Sequence, residues 1–236
     1  MDSRKECRGP ALTGGKMENR IAVVLTGNER KLKNIVSKAG WIELRIDEFL
    51  RSSREDEILK WVKKIRSIAS GRIIGTVRWK KEQPEPSFYI PDKKRKEIYE
   101  KIMDFVDYVD VELRSKIVPQ VIKSAREKGK KVILSYHNFS KTPNFSKLTE
   151  IYRKGIRLKP DILKIATKID SKKSLLTILK FTYHYSKKVP LVITPMGVSV
   201  VERLIPLYFG SIFTYVSAGK KTAPSQPSYK QIEKIL

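Results

Sequence analysis

The chain has 236 residues, of which 40% are hydrophobic, and this is enough for one large domain or two small ones with a substantial core. Fifty lysines and arginines against 25 acidic residues give a formal net charge of +25, which attracts polyanions and raises the question of a nucleic-acid partner. The basic residues are spread along the chain without interleaved aromatics or a zinc-finger, RRM or KH motif, and no apolar run is long enough for a transmembrane helix, so we expect neither a nucleic-acid nor a membrane partner.

The N-terminus is polar and contains no apolar segment of the kind that marks a secretory signal. We interpret residues 1–17 as a flexible extension and residues 18–236 as one domain. The only cysteine, Cys7, lies in the extension, so an intramolecular disulfide cannot form. A reducing, cytoplasmic location is the simplest expectation.

From residue 21 onward, short apolar and β-branched runs alternate with segments of helical spacing. The runs cover residues 21–26, 41–46, 72–78, 108–113, 131–136, 161–166, 190–194 and 211–216. Between them, "DEILKWVKKIRSIAS" places Ile58, Leu59, Val62, Ile65 and Ile68 on one stripe, as an amphipathic helix does. Strands separated by helices pair in parallel through right-handed crossovers. Eight such units predict an α/β fold of the (β/α)8 TIM-barrel type, without an internal domain boundary.

A (β/α)8 barrel carries its chemistry at the carboxyl ends of its strands. At or just past the predicted strand ends stand polar and ionisable residues: Glu43, Arg45, Arg78, Glu112, His137, Lys164, Arg203 and Gln226. Burial of such groups is unfavourable unless they are paired or used. A ring of them at one end of a barrel therefore indicates a functional site.

Lys164 interrupts the otherwise apolar run "DILKIA". It either points outward and extends to solvent, or it is a desolvated amine surrounded by positive charge, which disfavours the ammonium form and makes the amine a nucleophile toward a ketone. His137, in "SYHNFSKTP", fits a structural histidine at a strand end as well as a catalytic one. Beside an inward lysine on the next strand it becomes a candidate proton shuttle. His184 lies in a helical segment, and we interpret it as a surface or packing residue.

Period-two spacing puts Glu43 and Arg45 on the same face of their strand. Arg78 ends the third strand, and Glu82 follows it in the loop. Arg203 comes after the turn "TPMG", where an arginine can bind a carboxylate with two hydrogen bonds.

Six segments together resemble the type I 3-dehydroquinate dehydratases of the shikimate pathway. They are "ELRID", "TVRWKKE", "SYHNFSKTP", "DILKIATK", "FGSIFTY" and "TAPSQ", and they occur in the family's order on the matching strands. The resemblance implies a (β/α)8 barrel that dehydrates 3-dehydroquinate to 3-dehydroshikimate without a metal or an organic cofactor. Family members are often dimers, so a homodimer is expected.

The resemblance also implies a role for each matching residue. Lys164 would form an imine with the substrate ketone, His137 would transfer the protons, and Glu82 would orient His137. The substrate-binding residues implied are Arg203 for the carboxylate, Glu43, Arg45 and Arg78 for the ring hydroxyls and for positive potential near the lysine, and Thr222 and Gln226 in a lid-like loop after strand eight.

The chain departs from the family pattern at several positions. Ser225 stands where glycine is usual, Asn138 where aspartate is common beside the histidine, and Glu202 where a serine normally precedes the arginine. The segment before Arg203 is one residue shorter than usual. These changes predict an altered carboxylate site rather than altered bond chemistry.

Two alternatives have to be weighed against this interpretation. A Schiff-base aldolase on the same barrel would share the lysine but would not explain the His137 loop, "ELR" and "TAPSQ" together. A basic nucleic-acid-binding protein would explain the charge, and its binding would weaken steeply with salt. Our hypothesis is that the +25 charge reflects a solvated surface and steering of an anionic substrate.

Overall fold

The computed structural model describes residues 17–29, 32–84 and 88–235. The extension expected at residues 1–17, with Cys7, lies outside the described residues except for Met17, where a 3-10 turn, Met17–Arg20, begins. The strands are β1 (Ile21–Leu25), β2 (Trp41–Arg45), β3 (Arg72–Thr76), β4 (Tyr108–Glu112), β5 (Lys131–Asn138), β6 (Ile162–Lys168), β7 (Leu191–Met196) and β8 (Thr214–Ser217). The helices are α1 (Leu32–Val36), α2 (Ile46–Phe49), α3 (Ile58–Ile68), α4 (Asp92–Ile102), α5 (Val118–Glu127), α6 (Phe145–Ile156), α7 (Lys172–Tyr185), α8 (Val200–Tyr208) and α9 (Tyr229–Glu233).

All eight strands are parallel and lie in the order β7-β6-β5-β4-β3-β2-β1-β8. An isolated parallel bridge between Leu191 and Ser211 joins the two ends, so the barrel is nearly closed. The predicted (β/α)8 architecture is confirmed. The strand ends differ from the prediction by a few residues: β5 continues through His137 to Asn138, and β8 begins only at Thr214.

Helices cover the outer face of the barrel because each buries one apolar stripe against it. On α3, Ile58, Val62 and Ile65 are buried as predicted, with Trp61 beside them. Leu59 and Ile68 are only half-buried. Burial of each large aliphatic side chain contributes about 2 kcal/mol to folding, so this outer layer holds the helices in place.

The inside of the barrel changes from apolar to polar along each strand. Its closed end is filled by alternate strand residues that form a separate apolar cluster: Ala22, Trp41, Ile74, Tyr108, Ile133, Ile162, Val192 and Phe213. Two residues further along each strand, side chains point to the same face. Several of those positions are polar and buried: Glu43, Thr76, Asp110, Ser135, Lys164, Thr194 and Tyr215. The barrel interior is therefore polar toward the carboxyl ends of the strands, and the apolar cluster fills the interior next to it.

Within the described ranges, no helix combines the length and the apolar character that crossing a membrane requires.

Candidate active site

One cavity opens at the carboxyl ends of the strands, where the barrel interior is polar. All nine residues predicted for the site line it: Glu43, Arg45, Arg78, Glu82, His137, Lys164, Arg203, Thr222 and Gln226. Pro84, Phe139, Ala166, Thr194, Met196, Tyr215 and Ala223 complete the lining. The barrel thus brings together groups that lie up to 183 positions apart in the chain, from Glu43 to Gln226.

Lys164 points into the barrel from β6 and is only 4% exposed, so the outward orientation considered above is wrong. Its Nζ lies 2.8 Å from Asp110 Oδ2 and 3.5 Å from Glu43 Oε1. The Tyr215 ring centroid is 4.1 Å from the same nitrogen, a cation–π distance. We also predicted positive charge around this lysine, and at contact distance that prediction is wrong. Both ion-pair partners found in the described part of the chain are carboxylates.

Asp110 is a central residue of the site that the sequence interpretation did not include. Its Oδ1 accepts a hydrogen bond from Ser135 Oγ at 2.6 Å, and Arg78 donates to both of its oxygens at 3.2 Å. Burial alone would raise the pKa of Asp110, but the charges of Arg78 and Lys164 hold it well below its usual value. The sequence did carry a signal, because a carboxylate inside the apolar run "YVDVEL" is as unusual as a lysine inside "DILKIA".

The two arginines at the ends of β2 and β3 are each matched by carboxylates. Arg45 makes a bidentate pair with Asp47, with Nε to Oδ1 at 3.0 Å and Nη2 to Oδ2 at 2.6 Å. Arg78 Nη1 lies 2.7 Å from Glu112 Oε1, in addition to its contacts with Asp110. The predicted excess of positive potential beside the lysine is therefore largely offset by neighbouring negative charge.

His137 and Glu82 form a buried pair at one side of the cavity. Glu82 Oε2 accepts the His137 backbone N–H at 2.8 Å and lies 2.9 Å from the ring Nδ1. Burial lowers the pKa of His137 well below its usual value, and the positive charges of Arg78 and Lys164 act in the same direction. The imidazole is therefore neutral near pH 7, as a general base must be.

Burial raises the pKa of Glu82 to about 7, and the negative charge of Glu112 acts in the same direction. Arg114, which follows β4, opposes this shift by donating from Nε to Glu82 Oε1 at 2.8 Å. Arg114 was not among the predicted site residues. Its position in a loop just past a strand end gives no distinctive sequence signal in so basic a chain.

Arg203 is 1% exposed and has no ion-pair partner within the described ranges. Its Nη1 donates to the backbone carbonyls of Pro195 at 3.1 Å and Pro224 at 3.4 Å, while Nε is buried without a hydrogen-bond partner. Burial lowers the pKa of Arg203 to about 10, which still leaves the guanidinium charged at neutral pH. A buried cation without a counterion is costly, and a carboxylate would satisfy it.

The loop after β8 closes the remaining side of the cavity. Gln226 Oε1 accepts the Thr222 N–H at 2.8 Å and the Thr222 hydroxyl at 3.2 Å, so these two predicted residues are hydrogen-bonded to each other. Ser225, between them, has a φ of +53°, in the left-handed region where glycine is favoured. The loop therefore forms this left-handed turn even though serine occupies a position where glycine is favoured.

Two of the other departures from the family pattern have local structural roles. Glu202 accepts the Ser199 N–H at 2.9 Å while Ser199 Oγ accepts the Glu202 N–H at 3.3 Å, a reciprocal capping arrangement that begins α8. Asn138 Oδ1 accepts the backbone N–H groups of Ser140 at 3.0 Å and Lys141 at 3.1 Å. Both side chains therefore stabilise turns next to the site.

The fold and the cavity define an enzyme of the (β/α)8-barrel class, with its reactive groups at the carboxyl ends of the strands. The sequence matches the family model described as type I 3-dehydroquinase over residues 22–236. The chain belongs to the type I 3-dehydroquinase family.

Individual relatives agree with this assignment over nearly their whole length. The 3-dehydroquinate dehydratase of Thermodesulfovibrio yellowstonii is 31% identical over 219 residues, which are 92% of this chain and 93% of that protein. The protein of the same name from Thermococcus onnurineus is 31% identical over 222 residues, 92% of this chain and 96% of the relative. The crystal structure of 3-dehydroquinate dehydratase from Geobacillus kaustophilus has a TM-score of 0.82 at 25% identity, with 94% of this chain and 91% of that one covered. For the type I enzyme from Clostridium difficile the TM-score is 0.80 at 27% identity, with coverages of 94% and 92%.

Proposed function

We propose that the chain dehydrates 3-dehydroquinate to 3-dehydroshikimate through an imine on Lys164. The observation that carries the proposal is the shared cavity, in which a buried lysine and a neutral histidine lie with an arginine that lacks a counterion among the described residues. Family membership and the relatives named 3-dehydroquinate dehydratase favour this substrate over that of an aldolase. The substrate offers the three matching features, which are a ketone, an adjacent acidic carbon and a carboxylate.

In the proposed reaction the unprotonated amine of Lys164 attacks the C3 ketone, and loss of water gives an iminium ion. The iminium withdraws electrons from C2, so the C2 proton becomes acidic and His137 removes it. The resulting enamine expels the C1 hydroxyl group, which leaves as water with a proton from His137. Hydrolysis then returns the amine and releases the conjugated product. The net change is the loss of one water molecule, and Lys164 itself supplies the electron sink that an organic cofactor would otherwise provide.

The carboxylates around Lys164 fit this chemistry because the iminium ion keeps a positive charge. Asp110 and Glu43, at 2.8 and 3.5 Å from the lysine nitrogen, would stabilise that charge. The ring face of Tyr215 lies on the same nitrogen and would act in the same direction. Since these groups already contact the lysine nitrogen, they need no reorganisation when the iminium forms.

Substrate orientation is proposed to come from the remaining lining residues. Arg203 would bind the carboxylate, because its guanidinium has unused donors and no counterion in the part of the chain that the structure describes. Glu43, Arg45 and Arg78 would contact the ring hydroxyls, although the two arginines share their donors with carboxylates of the protein. Thr222 and Gln226 would close over the bound ring and exclude water.

The test is intact mass spectrometry after adding borohydride to the protein with 3-dehydroquinate. A reduced adduct on the native chain, absent in Lys164→Ala, together with an absorbance rise from the conjugated product, is the expected result. The matched control is Lys168→Ala, which removes an exposed lysine from the end of the same strand and should leave the adduct unchanged. An adduct that survives in Lys164→Ala, or a native chain that forms neither adduct nor product, would refute the proposal.

We also propose that the chain forms a homodimer through the outer faces of α7 and α8 and works in the cytoplasm. On α7, Leu176 and Tyr183 are 57% and 59% exposed, and on the adjacent α8, Val201 and Tyr208 are 65% and 66% exposed. Residues seven apart share one helix face, so each helix presents an apolar pair to solvent. Sedimentation of Tyr208→Lys should show a monomer, whereas Tyr89→Lys, with a side chain 63% exposed elsewhere, should remain dimeric. A native chain that sediments as a monomer would refute the dimer.

A further inference from the structure

Arg114 reaches the His137–Glu82 pair from the solvent side of the barrel wall. Its side chain is 49% exposed, yet Nε donates to Glu82 Oε1 at 2.8 Å and Nη2 donates to the backbone carbonyl of His137 at 3.0 Å. The guanidinium carbon lies 4.8 Å from the Tyr136 ring centroid, which supports its planar face. One guanidinium therefore connects the carboxylate and the main chain of the histidine that this carboxylate orients.

The hydrogen bonds at Glu82 restrict where its proton can be. Oε1 receives Arg114, and Oε2 receives the His137 backbone N–H, which leaves one acceptor position on Oε2 for the imidazole. While Glu82 is ionised, this arrangement requires a proton on Nδ1 and leaves Nε2 as the basic nitrogen. A protonated Glu82 would instead donate to Nδ1, and the imidazole would then carry its proton on Nε2, where it cannot act as a base.

We propose that Arg114 is a positioning residue, which keeps Glu82 ionised and thereby holds His137 in the tautomer whose Nε2 accepts the substrate proton. The proposal rests on the function proposed above, in which His137 is the base. Arg114 is not among the residues that line the cavity, so we assign it no contact with the substrate or the reacting atoms.

The charges around Glu82 show why such a residue is needed. Burial favours the neutral carboxyl, and the negative charge of Glu112 on β4 does so as well. Arg114 opposes them through its hydrogen bond and its charge, and Arg78, just past β3, adds a weaker effect of the same sign. The balance leaves the pKa of Glu82 at about 7, so the loss of one positive neighbour would leave the group mostly protonated at neutral pH.

Besides Glu82, His137 faces charges from four elements. Arg78, Lys164 and Arg45 disfavour its protonation, while Asp110 favours it. Arg114 is not among the main influences on the pKa of the imidazole, so its effect has to pass through Glu82. The experiments therefore have to follow which ring nitrogen of His137 carries the proton, and not the total protonation of the ring.

The first measurement is the pH dependence of kcat in Arg114→Met and Arg114→Lys. We expect the acidic limb of the Arg114→Met profile to move to higher pH by roughly one unit, because the arginine is half exposed and its effect is partly screened. At pH values well above the limb, kcat should return to near the native value. Arg114→Lys, which keeps the charge, should restore part of the shift. The control is Arg126→Met, which removes another exposed arginine that donates to the backbone carbonyls of Leu158 and Lys159, and its profile should match the native one.

A purely structural role would lower kcat equally at every pH, together with the melting temperature, and that result would overturn the proposal. An unshifted acidic limb in Arg114→Met would overturn it as well.

The second measurement does not depend on activity. The chain has two histidines, so 15N NMR of the imidazole nitrogens can be assigned with a His184→Gln variant. At pH 8, His137 should carry its proton mainly on Nδ1 in the native protein and partly on Nε2 in Arg114→Met. If the native chain fails to dehydrate 3-dehydroquinate, this experiment still tests Arg114 separately. If the tautomer is the same in both proteins while the native chain is active, the inference fails and the proposed function stands.

Discussion

Asp110 Oδ2 and Lys164 Nζ lie 2.8 Å apart inside the barrel, although the two residues are 54 positions apart in the chain. Both side chains are nearly inaccessible to solvent, and Arg78 holds the other side of the carboxylate. This contact sets the charge at the position where the proposed iminium ion forms. The lysine is therefore better described as one member of a buried ion network than as an isolated amine.

Asp110→Asn should impair both stability and adduct formation. Loss of one member of a buried ion network leaves the other charges uncompensated and costs about 3 kcal/mol in the free energy of unfolding, measured by urea titration. The borohydride adduct on Lys164 should accumulate at least tenfold more slowly, since the iminium loses its nearest counterion. The control Asp104→Asn removes an exposed carboxylate paired with Lys128 and should cost under about 1 kcal/mol. Equal effects of the two substitutions would contradict the network.

Arg203→Met should weaken substrate binding without lowering the stability of the fold. Removal of the guanidinium should raise KM for 3-dehydroquinate by roughly 100-fold, the expected cost of losing one partner of a buried charge pair, with a smaller effect on kcat. Measured without substrate, the free energy of unfolding should be unchanged or higher, because the buried cation has no counterion among the described residues. Steady-state kinetics and urea titration test the two parts. Arg54→Met, at an exposed ion pair, serves as the control, and a KM that stays at the native value would remove Arg203 from the substrate site.

Ser225→Gly should stabilise the loop after β8. A residue with a side chain costs about 1 kcal/mol in the left-handed region, and glycine avoids that cost at a φ of +53°. The same substitution at Ser228 removes the N-cap of α9 at a φ of −79° and should destabilise the protein by a few tenths of a kcal/mol. Differential scanning calorimetry compares the two variants. A lower melting temperature for Ser225→Gly would show that the loop does not bear this strain.

Tyr215→Phe should stabilise the protein and leave it active. The hydroxyl is buried without a hydrogen-bond partner in the described part of the chain, so its removal should raise the free energy of unfolding by about 1 kcal/mol. The ring face over Lys164 remains, and so does its cation–π contact. The matched change Tyr99→Phe removes a hydroxyl that accepts from Val77 N–H and donates to the Asp110 carbonyl, and it should destabilise the protein by about 1 to 2 kcal/mol. Loss of activity in Tyr215→Phe would show instead that the hydroxyl takes part in the reaction.

The architecture was accessible from the sequence because each βα unit is specified by local signals. Period-two apolar runs and amphipathic stripes such as that of α3 depend on neighbouring residues, and eight repeats permit few topologies. The ring of polar residues at the strand ends followed from the same pattern. Seven of its eight members line one cavity together with Glu82 and Thr222, since the carboxyl ends of a parallel barrel must converge, whereas Glu112 is not among the lining residues.

The ion pairs among these polar residues could not be predicted from the sequence in the same way. The prediction placed positive charge around Lys164, whereas the structure places Asp110 and Glu43 there. The direction of a side chain can be read from its strand, but the group it meets across the barrel depends on register and on the lengths of several side chains at once.

The sequence alone determined the barrel, the end of it that carries the chemistry, and the residues that converge there. Tertiary structure alone decided that Asp110 compensates the lysine, that Arg203 stays without a carboxylate partner within the described residues, and that Arg114 reaches Glu82 from 32 positions away. Local periodicity fixes which face a side chain occupies, because the backbone repeat is short. Which charges pair depends on differences of about an ångström in the distances between residues that are far apart in the chain. Those distances are set only when all eight strands have closed on one another.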